Sequence, residues 1–281
     1  MSIGLAASLA CMLEVSAEKV GNVTPSQRFA DACFHDFVSS ALALGPAIAR
    51  AVPSRVGWAI YHAVKATRRV SPTNTYLGVA LLLAPLAAAW SPDRPTALRA
   101  RLAGVLRDLS VDDARWAYRA IRLAAPGGLG SVKRADVSRA PRVTLREAMA
   151  LAAGRDSIAS EYVHDFALTF EVALPALRNA MRQRLSALDA IVQTHLELIA
   201  RIPDTLIARK AGETTARAVS ARVRTAVQAG GVRTREGRAV LRGLDRELRV
   251  DGNRLNPGTS ADLTAAGLFV WLIQSGGRDL L

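Results

Sequence analysis

An all-α fold is what this sequence predicts, and three observations carry the expectation. Ala, Leu and Arg are abundant and aromatic residues make up only 5% of the 281 positions, a mixture that favours helix along nearly the whole chain. Apolar residues recur at helical spacing, and prolines, glycines and Ser/Thr/Asp signals interrupt that spacing where helices should start and stop. Half of the chain is hydrophobic, so it can bury a sizeable core. With no internal repeat and no low-complexity tail, it reads as a single compact helical domain over residues 1–281.

Residues 3–15 make the first expected helix. Ser16 to Ser26 follow as a loop, in which Gly21 would let backbone approach a ligand closely beside Lys19 and Asn22. Helix is expected again from Arg28, with Phe29, Cys33, Phe37, Ser40 and Leu44 on its apolar side. Four-residue spacing then puts Asp31 and His35 on one face, either as an exposed capping pair or as a group that binds metal or activates a hydroxyl. After a turn at Pro53, Ser54 to about Arg69 is helical, with Lys65, Arg68 and Arg69 on a solvated face. Asn74 and Thr75 stand at the mouth of the apolar helix Val79 to Ala89, where they cap it or hold an anion against its free N–H groups.

Two amphipathic helices fill Arg94 to Ala124, the second opened by Ser110-Val111-Asp112-Asp113 as a capping signal. Pro126-Gly127-Gly128-Leu129-Gly130 has the composition of a phosphate loop but lacks the strand that should precede one, so a helix stop is expected there. One long helical region is expected from Val143, carrying Asp156, Glu161, His164 and Asp165. Neighbouring helix residues point about 100° apart, so His164 and Asp165 do not make a dyad by adjacency. His195 reads as a core or boundary histidine.

Pro203 should end the apolar helix before it, leaving Asp204 and Thr205 where the next one begins. A carboxylate there caps free N–H groups, or points into a cleft and holds a metal ion carrying a phosphate. Arg209 and Lys210 follow within two turns and would bring positive charge to the same anion if their side chains turn inward. Two basic helices come next, divided at Gly230-Gly231. The turn Asp251-Gly252-Asn253 then leads to Pro257-Gly258-Thr259-Ser260 and a last apolar helix. Thr259 and Asp262 have capping-box spacing; alternatively Gly258, Thr259 and Ser260 present N–H groups and hydroxyls to phosphate, with Asp262 facing metal or a sugar hydroxyl.

Net charge is +13, with twelve Lys or Arg against five Asp or Glu between Arg201 and Arg249. Such charge suits nucleic acid, but equally a polyphosphate substrate, and neither aromatic stacking platforms nor a DNA-reading module accompany it. A basic scaffold for RNA or protein therefore stands as the alternative of another class. Two cysteines, Cys11 and Cys33, form neither a disulfide framework nor a zinc motif and suit a reducing cytoplasm. The apolar stretches Val79–Ala89 and Ala265–Ile273 are too short to span about 30 Å of bilayer, so no membrane partner is expected. Periodicity leaves open whether they pack within one chain or across a homodimer.

Taken in order, Glu14 with Lys19-x-Gly21-x-Val23, Asp31, Asn74-Thr75-x-x-Gly78, Asp204-Thr205 with Arg209 and Gly212, and Pro257-Gly258-x-Ser260-Ala261-Asp262-Leu263 resemble the triphosphoribosyl-dephospho-CoA synthase family of CitG/MdcB type. The resemblance spans about residues 10–273 and implies an all-helical transferase. Its substrates would be ATP, with Mg2+, and 3′-dephospho-CoA, and adenine would be released. It further implies Glu14 or Asp31 as base, Asp204 and Asp262 on Mg2+, Lys19 and Arg209 on triphosphate, and Asn74-Thr75 orienting a phosphate or sugar. Two stretches depart from the better-known branch, which has Lys-Pro-Gly at Lys19-Val20-Gly21 and Gly-Val-Asn-Thr-His at Pro72-Thr73-Asn74-Thr75-Tyr76. Leu145 to Met149, Arg155-Asp156-Ser157 and Asn256-Pro257-Gly258 are closer to a branch from archaea and one-carbon-metabolising bacteria. That likeness implies an alternative acceptor, in one-carbon cofactor synthesis of the methanopterin or methanofuran kind.

Overall fold

The computed structural model describes residues 1–127 and 134–277, and every regular element among them is helical. Gly128, Leu129 and Gly130 of the glycine-rich run lie outside the described residues. Contacts gather into two compact units, one built from Met1–Met12, His35–Ala167 and the chain from Phe269 onward, the other from Leu13–Phe34 and Leu168–Leu268. Each unit is assembled from stretches far apart in sequence. No linker of distinctive composition is needed, and none is visible in the sequence.

The first unit holds most of α1 (Ile3–Ser16), then α2 (Phe34–Ile48), α3 (Val56–Val70), α4 (Leu77–Ala89), α5 (Leu98–Arg107), α6 (Val111–Ala124), α7 (Leu145–Ala152) and α8 (Ser157–Val163). Its most enclosed element is α4, in which every residue except Gly78 is buried. A proline at position 85 leaves the Leu81 carbonyl without its usual helical N–H partner. The Tyr162 hydroxyl from α8 donates to that carbonyl at 2.6 Å, which supplies the missing bond inside the core. Helices α3 and α6 approach closely at Gly57, where a Cβ would meet the Asp113 backbone at 2.3 Å. Asp113 also completes the expected capping box with Ser110 and accepts from the Gly57 N–H at 2.8 Å. Aromatic rings do cluster here, Tyr61 and His62 of α3 beside Trp116 of α6.

The second unit opens with the end of α1 and the loop to Phe34, and resumes after Ala167 with a π-helical turn, Thr169–Ala173. It continues through α9 (Leu174–Arg182), α10 (Ala187–Arg201), α11 (Thr205–Ala211), α12 (Glu213–Gln228), α13 (Arg235–Leu248) and most of α14 (Gly258–Ser275). Cations of α12 and α13 pair with acids at the surface, as the exposed Arg217 does with Glu213 at 3.1 Å and Arg238 with Asp189 at 2.9 Å. No helix among the described residues is long and apolar enough to cross a membrane.

Three sequence expectations fail locally, each for a physical reason. Arg28 to Cys33 are not helical, so Asp31 and His35 share no helix face. Within this stretch the Phe29 N–H donates forward to the Ala32 carbonyl at 2.9 Å, a turn whose bond runs opposite to the helical direction. The region from Val143 is two short helices, because Asp156 caps a fresh start by accepting from the N–H groups of Ile158 and Ala159. Helix α14 begins at Gly258, so Thr259 already lies inside it and makes no capping box with Asp262. The oxygen that meets the Ser260 N–H comes from Asp204.

Candidate active site

Within the second unit, most of the residues singled out from sequence come together around the end of α1 and the starts of α11 and α14. Lys19 turns back on α1 and donates to the Ala17 carbonyl at 3.3 Å and to the Glu14 carbonyl, occupying acceptors that a helix end leaves open. Its ammonium also lies 2.9 Å from the Glu14 carboxylate, with both side chains almost wholly enclosed. Burial pushes the Glu14 carboxyl above its ordinary range, while the charge and hydrogen bond of Lys19 pull the other way. As folded, Lys19 is thus surrounded by acceptors of its own chain.

Gly21 has φ +68°, and a Cβ there would meet Leu248 and Pro257 at 3.0 Å. The backbone conformation and the enclosure both call for glycine. Its N–H donates to Asp245 Oδ1 at 2.8 Å, and Arg249 Nη2 donates to the Asn22 carbonyl at 2.7 Å. Arg249 in turn grips Asp245 through Nε at 2.9 Å to both oxygens. Asp245 and Arg249 were not singled out from sequence. Only their four-residue spacing marked them, and that spacing is common on surface helices.

Asp204 occupies the pivotal place. Its Oδ1 accepts from the N–H groups of Leu206 at 2.8 Å and Ile207 at 3.1 Å, the N-cap bonds of α11. Its Oδ2 accepts from the N–H and hydroxyl of Ser260, at 2.7 and 2.8 Å, in the first turn of α14. One buried carboxylate therefore caps two helices. Burial raises its pKa, and the bonds from Ser260, Ile207 and Leu206 oppose that rise. Thr205 donates to Thr259 across the same pair of helix starts at 3.2 Å, and Gly258 admits Leu206 where a Cβ would sit 2.7 Å from it.

Around this frame stand the more open groups. Lys210 donates to the backbone and side-chain oxygens of Asn253, at 3.0 and 3.3 Å, and Asn253 donates to the exposed Asp31 at 3.3 Å. Burial lowers the Lys210 pKa, with Asp31 and Asp204 opposing and Arg209 adding to the shift, so these three charges lie within electrostatic reach of its ammonium. Arg209 is half-buried on α11, and Asp262 is half-buried on α14. The fully enclosed His195 of α10 joins the assembly through Asn22, whose Nδ2 lies 3.4 Å from its Nε2. Asn74 and Thr75 belong to the first unit, where Asn74 accepts from the Leu77 N–H at 3.2 Å and the Thr75 hydroxyl is sealed without a partner.

Among the described residues no group of three or more His, Cys, Asp or Glu is arranged to hold a metal ion. Asp204 has both oxygens engaged by N–H and O–H donors, so a metal would displace bonds that cap two helices. As folded, Asp204 does not fit a resident divalent ion.

Residues 1–279 match the profile of the family CitG: ATP:dephospho-CoA triphosphoribosyl transferase. The chain belongs to the CitG family. It is 31% identical over 128 residues to a Pseudomonas fluorescens protein provisionally named 2-(5''-triphosphoribosyl)-3'-dephosphocoenzyme-A synthase, covering 46% of this chain and 43% of that one. A protein of the same provisional name from Stutzerimonas stutzeri is 32% identical over 107 residues, 38% of this chain and 36% of its own. The alignments thus span less than half the length of these curated relatives. A crystal structure from Archaeoglobus fulgidus, provisionally named a triphosphoribosyl-dephospho-CoA synthase, superposes with a TM-score of 0.68 at 27% identity. That likeness covers 86% of this chain and 98% of the archaeal one, and gives the helical CitG fold to nearly the whole chain. None of these CitG relatives favours the basic RNA- or protein-binding scaffold.

Proposed function

We propose that the protein transfers the triphosphoribosyl group of ATP to 3′-dephospho-CoA and releases adenine. The observation that carries this reading is the CitG match over residues 1–279. In the reaction the bond between C1′ and adenine breaks, and a ribose hydroxyl of dephospho-CoA forms the new bond to C1′. The hydroxyl proton passes to a base, while adenine leaves with the electron pair of its former bond and takes up a proton. The centre at C1′ gains positive character on the way, which a nearby carboxylate stabilises.

Among the carboxylates, Asp31 suits the role of base. It is exposed, held by Asn253 rather than sealed, and close enough to Lys210 to feel its charge. Glu14 is enclosed against Lys19, and Asp204 is engaged at both oxygens, so both serve the frame in this reading. Arg209 and Lys210, which enter together from α11, are the cations for the triphosphate. Mg2+ travels with that triphosphate.

The test is a mass-spectrometric assay with ATP, Mg2+ and 3′-dephospho-CoA, on the native chain and on Asp31→Asn. Free adenine together with an acceptor heavier by a triphosphoribosyl group is the expected result, with turnover falling about 100-fold or more in the variant. Adenine release with no heavier dephospho-CoA would move the acceptor to another compound. Unchanged turnover in Asp31→Asn would remove Asp31 as the base.

A further inference from the structure

Asn22 and His195 form a contact to which the proposed chemistry gives no role. Asn22 sits in the tight turn after α1, held through its backbone by Arg249 and next to a glycine that admits no side chain. Its carboxamide has two N–H donors and one oxygen. Nδ2 donates to the Val20 carbonyl at 3.1 Å, and its other partner is His195 Nε2 at 3.4 Å. A backbone carbonyl only accepts, so the nitrogen of the carboxamide must face it, and the orientation of the group follows from its surroundings. His195 Nε2 must then be the lone-pair nitrogen. The proton of the neutral ring sits on Nδ1, which is sealed from solvent.

With both N–H groups of the carboxamide used, Asn22 has no side-chain donor left for a phosphate. What remains is Oδ1, which accepts no hydrogen bond among the described residues and, unlike His195 Nδ1, is not sealed from solvent. An amide oxygen repels phosphate oxygens and attracts O–H or N–H donors. The chemistry on offer at this turn is recognition of a hydroxyl or an amino group.

We infer that His195 is a positioning residue that fixes the Asn22 carboxamide with Oδ1 outward, where it accepts a hydrogen bond from a nucleoside hydroxyl or amino group of the substrate. The inference rests on the nucleotide-transfer reading for its substrate and on the hydrogen-bond pattern alone for its geometry. Burial first, and the charge of Lys19 second, push the His195 pKa down to about 3, against an upward pull from the Ser260 backbone. The ring therefore keeps its acceptor nitrogen throughout the neutral range, which a positioning role requires. An imidazolium would donate at Nε2 and turn the carboxamide over.

Two measurements test this separately from the reaction itself. Nitrogen NMR of histidine-labelled protein should show His195 as the neutral Nδ1–H tautomer, unchanged from pH 5 to pH 8. An Nε2–H tautomer, or titration in that range, would overturn the geometry. The functional arm is a double-mutant cycle of Asn22→Ala and His195→Phe, read on ATP affinity by calorimetry and on kcat/KM, with thermal melts to confirm folding. His195→Phe should lower kcat/KM about ten-fold in the native background and have almost no effect in the Asn22→Ala background, because coupled residues are not additive. His195→Gln, which keeps an acceptor, should recover to within about three-fold of native.

Additive losses, or a His195→Phe protein that folds and works normally, would overturn the role. Triphosphates lacking the ribose 2′-hydroxyl or the adenine amine identify the donor, since Asn22→Ala should stop discriminating against one of them. Unchanged discrimination against both would also sink the inference. Failure of the native protein to turn over dephospho-CoA, with the ATP-affinity cycle still coupled, would strike the proposed acceptor and leave the His195 role standing.

Discussion

At the scale of single residues, Glu14 and Lys19 decide how the loop after α1 is held. Two opposite charges 2.9 Å apart and almost wholly enclosed depend on each other, because neither has water to fall back on. Glu14→Gln would strand an ammonium in that enclosure, so it should lower unfolding free energy in urea by about 3–5 kcal/mol. Replacing both, Glu14→Leu with Lys19→Met, should recover much of that loss, since a buried pair often contributes little net stability compared with apolar groups of similar size. A Glu14→Gln protein as stable as native would mean that Lys19 reaches solvent. Sequence alone could nominate Lys19 as a phosphate ligand because Lys-x-Gly beside a loop looks accessible. What it could not show is that the lysine folds back onto the carbonyls of Glu14 and Ala17.

At the scale of elements, helix existence was legible almost throughout, because caps and proline stops are local signals. Ser110 with Asp113, Pro203 before Asp204, and Gly230-Gly231 between α12 and α13 all fall where the chain changes element. The failures came where a side chain from elsewhere in the chain, or just before the stretch, overrode the local pattern. Asp156 capped a fresh helix inside the region from Val143, and Asp204 reached across to α14. Asp204 reads from sequence as a cap for one helix, and its second helix is 54 residues further on. Asp204→Asn therefore puts an amide nitrogen where only acceptors fit. Either the pair of N–H groups in α11 or the N–H and hydroxyl of Ser260 loses its partner, at a cost of about 2–3 kcal/mol. Ser260→Ala removes a single hydroxyl donor from the same carboxylate and should cost about 1 kcal/mol. Equal melting temperatures for native and Asp204→Asn protein would show that the double cap does not hold the two helix starts.

At the scale of the whole molecule, the sequence displays its charge but not which charges are buried, and the response of stability to acid depends on the latter. His195 carries a folded pKa near 3 against about 6.5 when unfolded, so the unfolded chain binds the extra proton between those values. Its contribution to stability is complete above pH 6.5 and is lost progressively as pH falls toward 3. Glu14 and Asp204 act in the opposite sense, because burial raises their folded pKa values and the folded chain then binds protons first. The total profile mixes these signs, whereas the difference between native protein and His195→Gln isolates the histidine. Urea unfolding between pH 4.5 and pH 7.5 should show native stability, relative to the variant, rising by up to about 1.4 kcal/mol per pH unit until pH 6.5 and then levelling. A difference that stays flat across this range would mean that His195 titrates in the folded protein much as it does unfolded, contrary to its enclosure against Lys19 and Asn22.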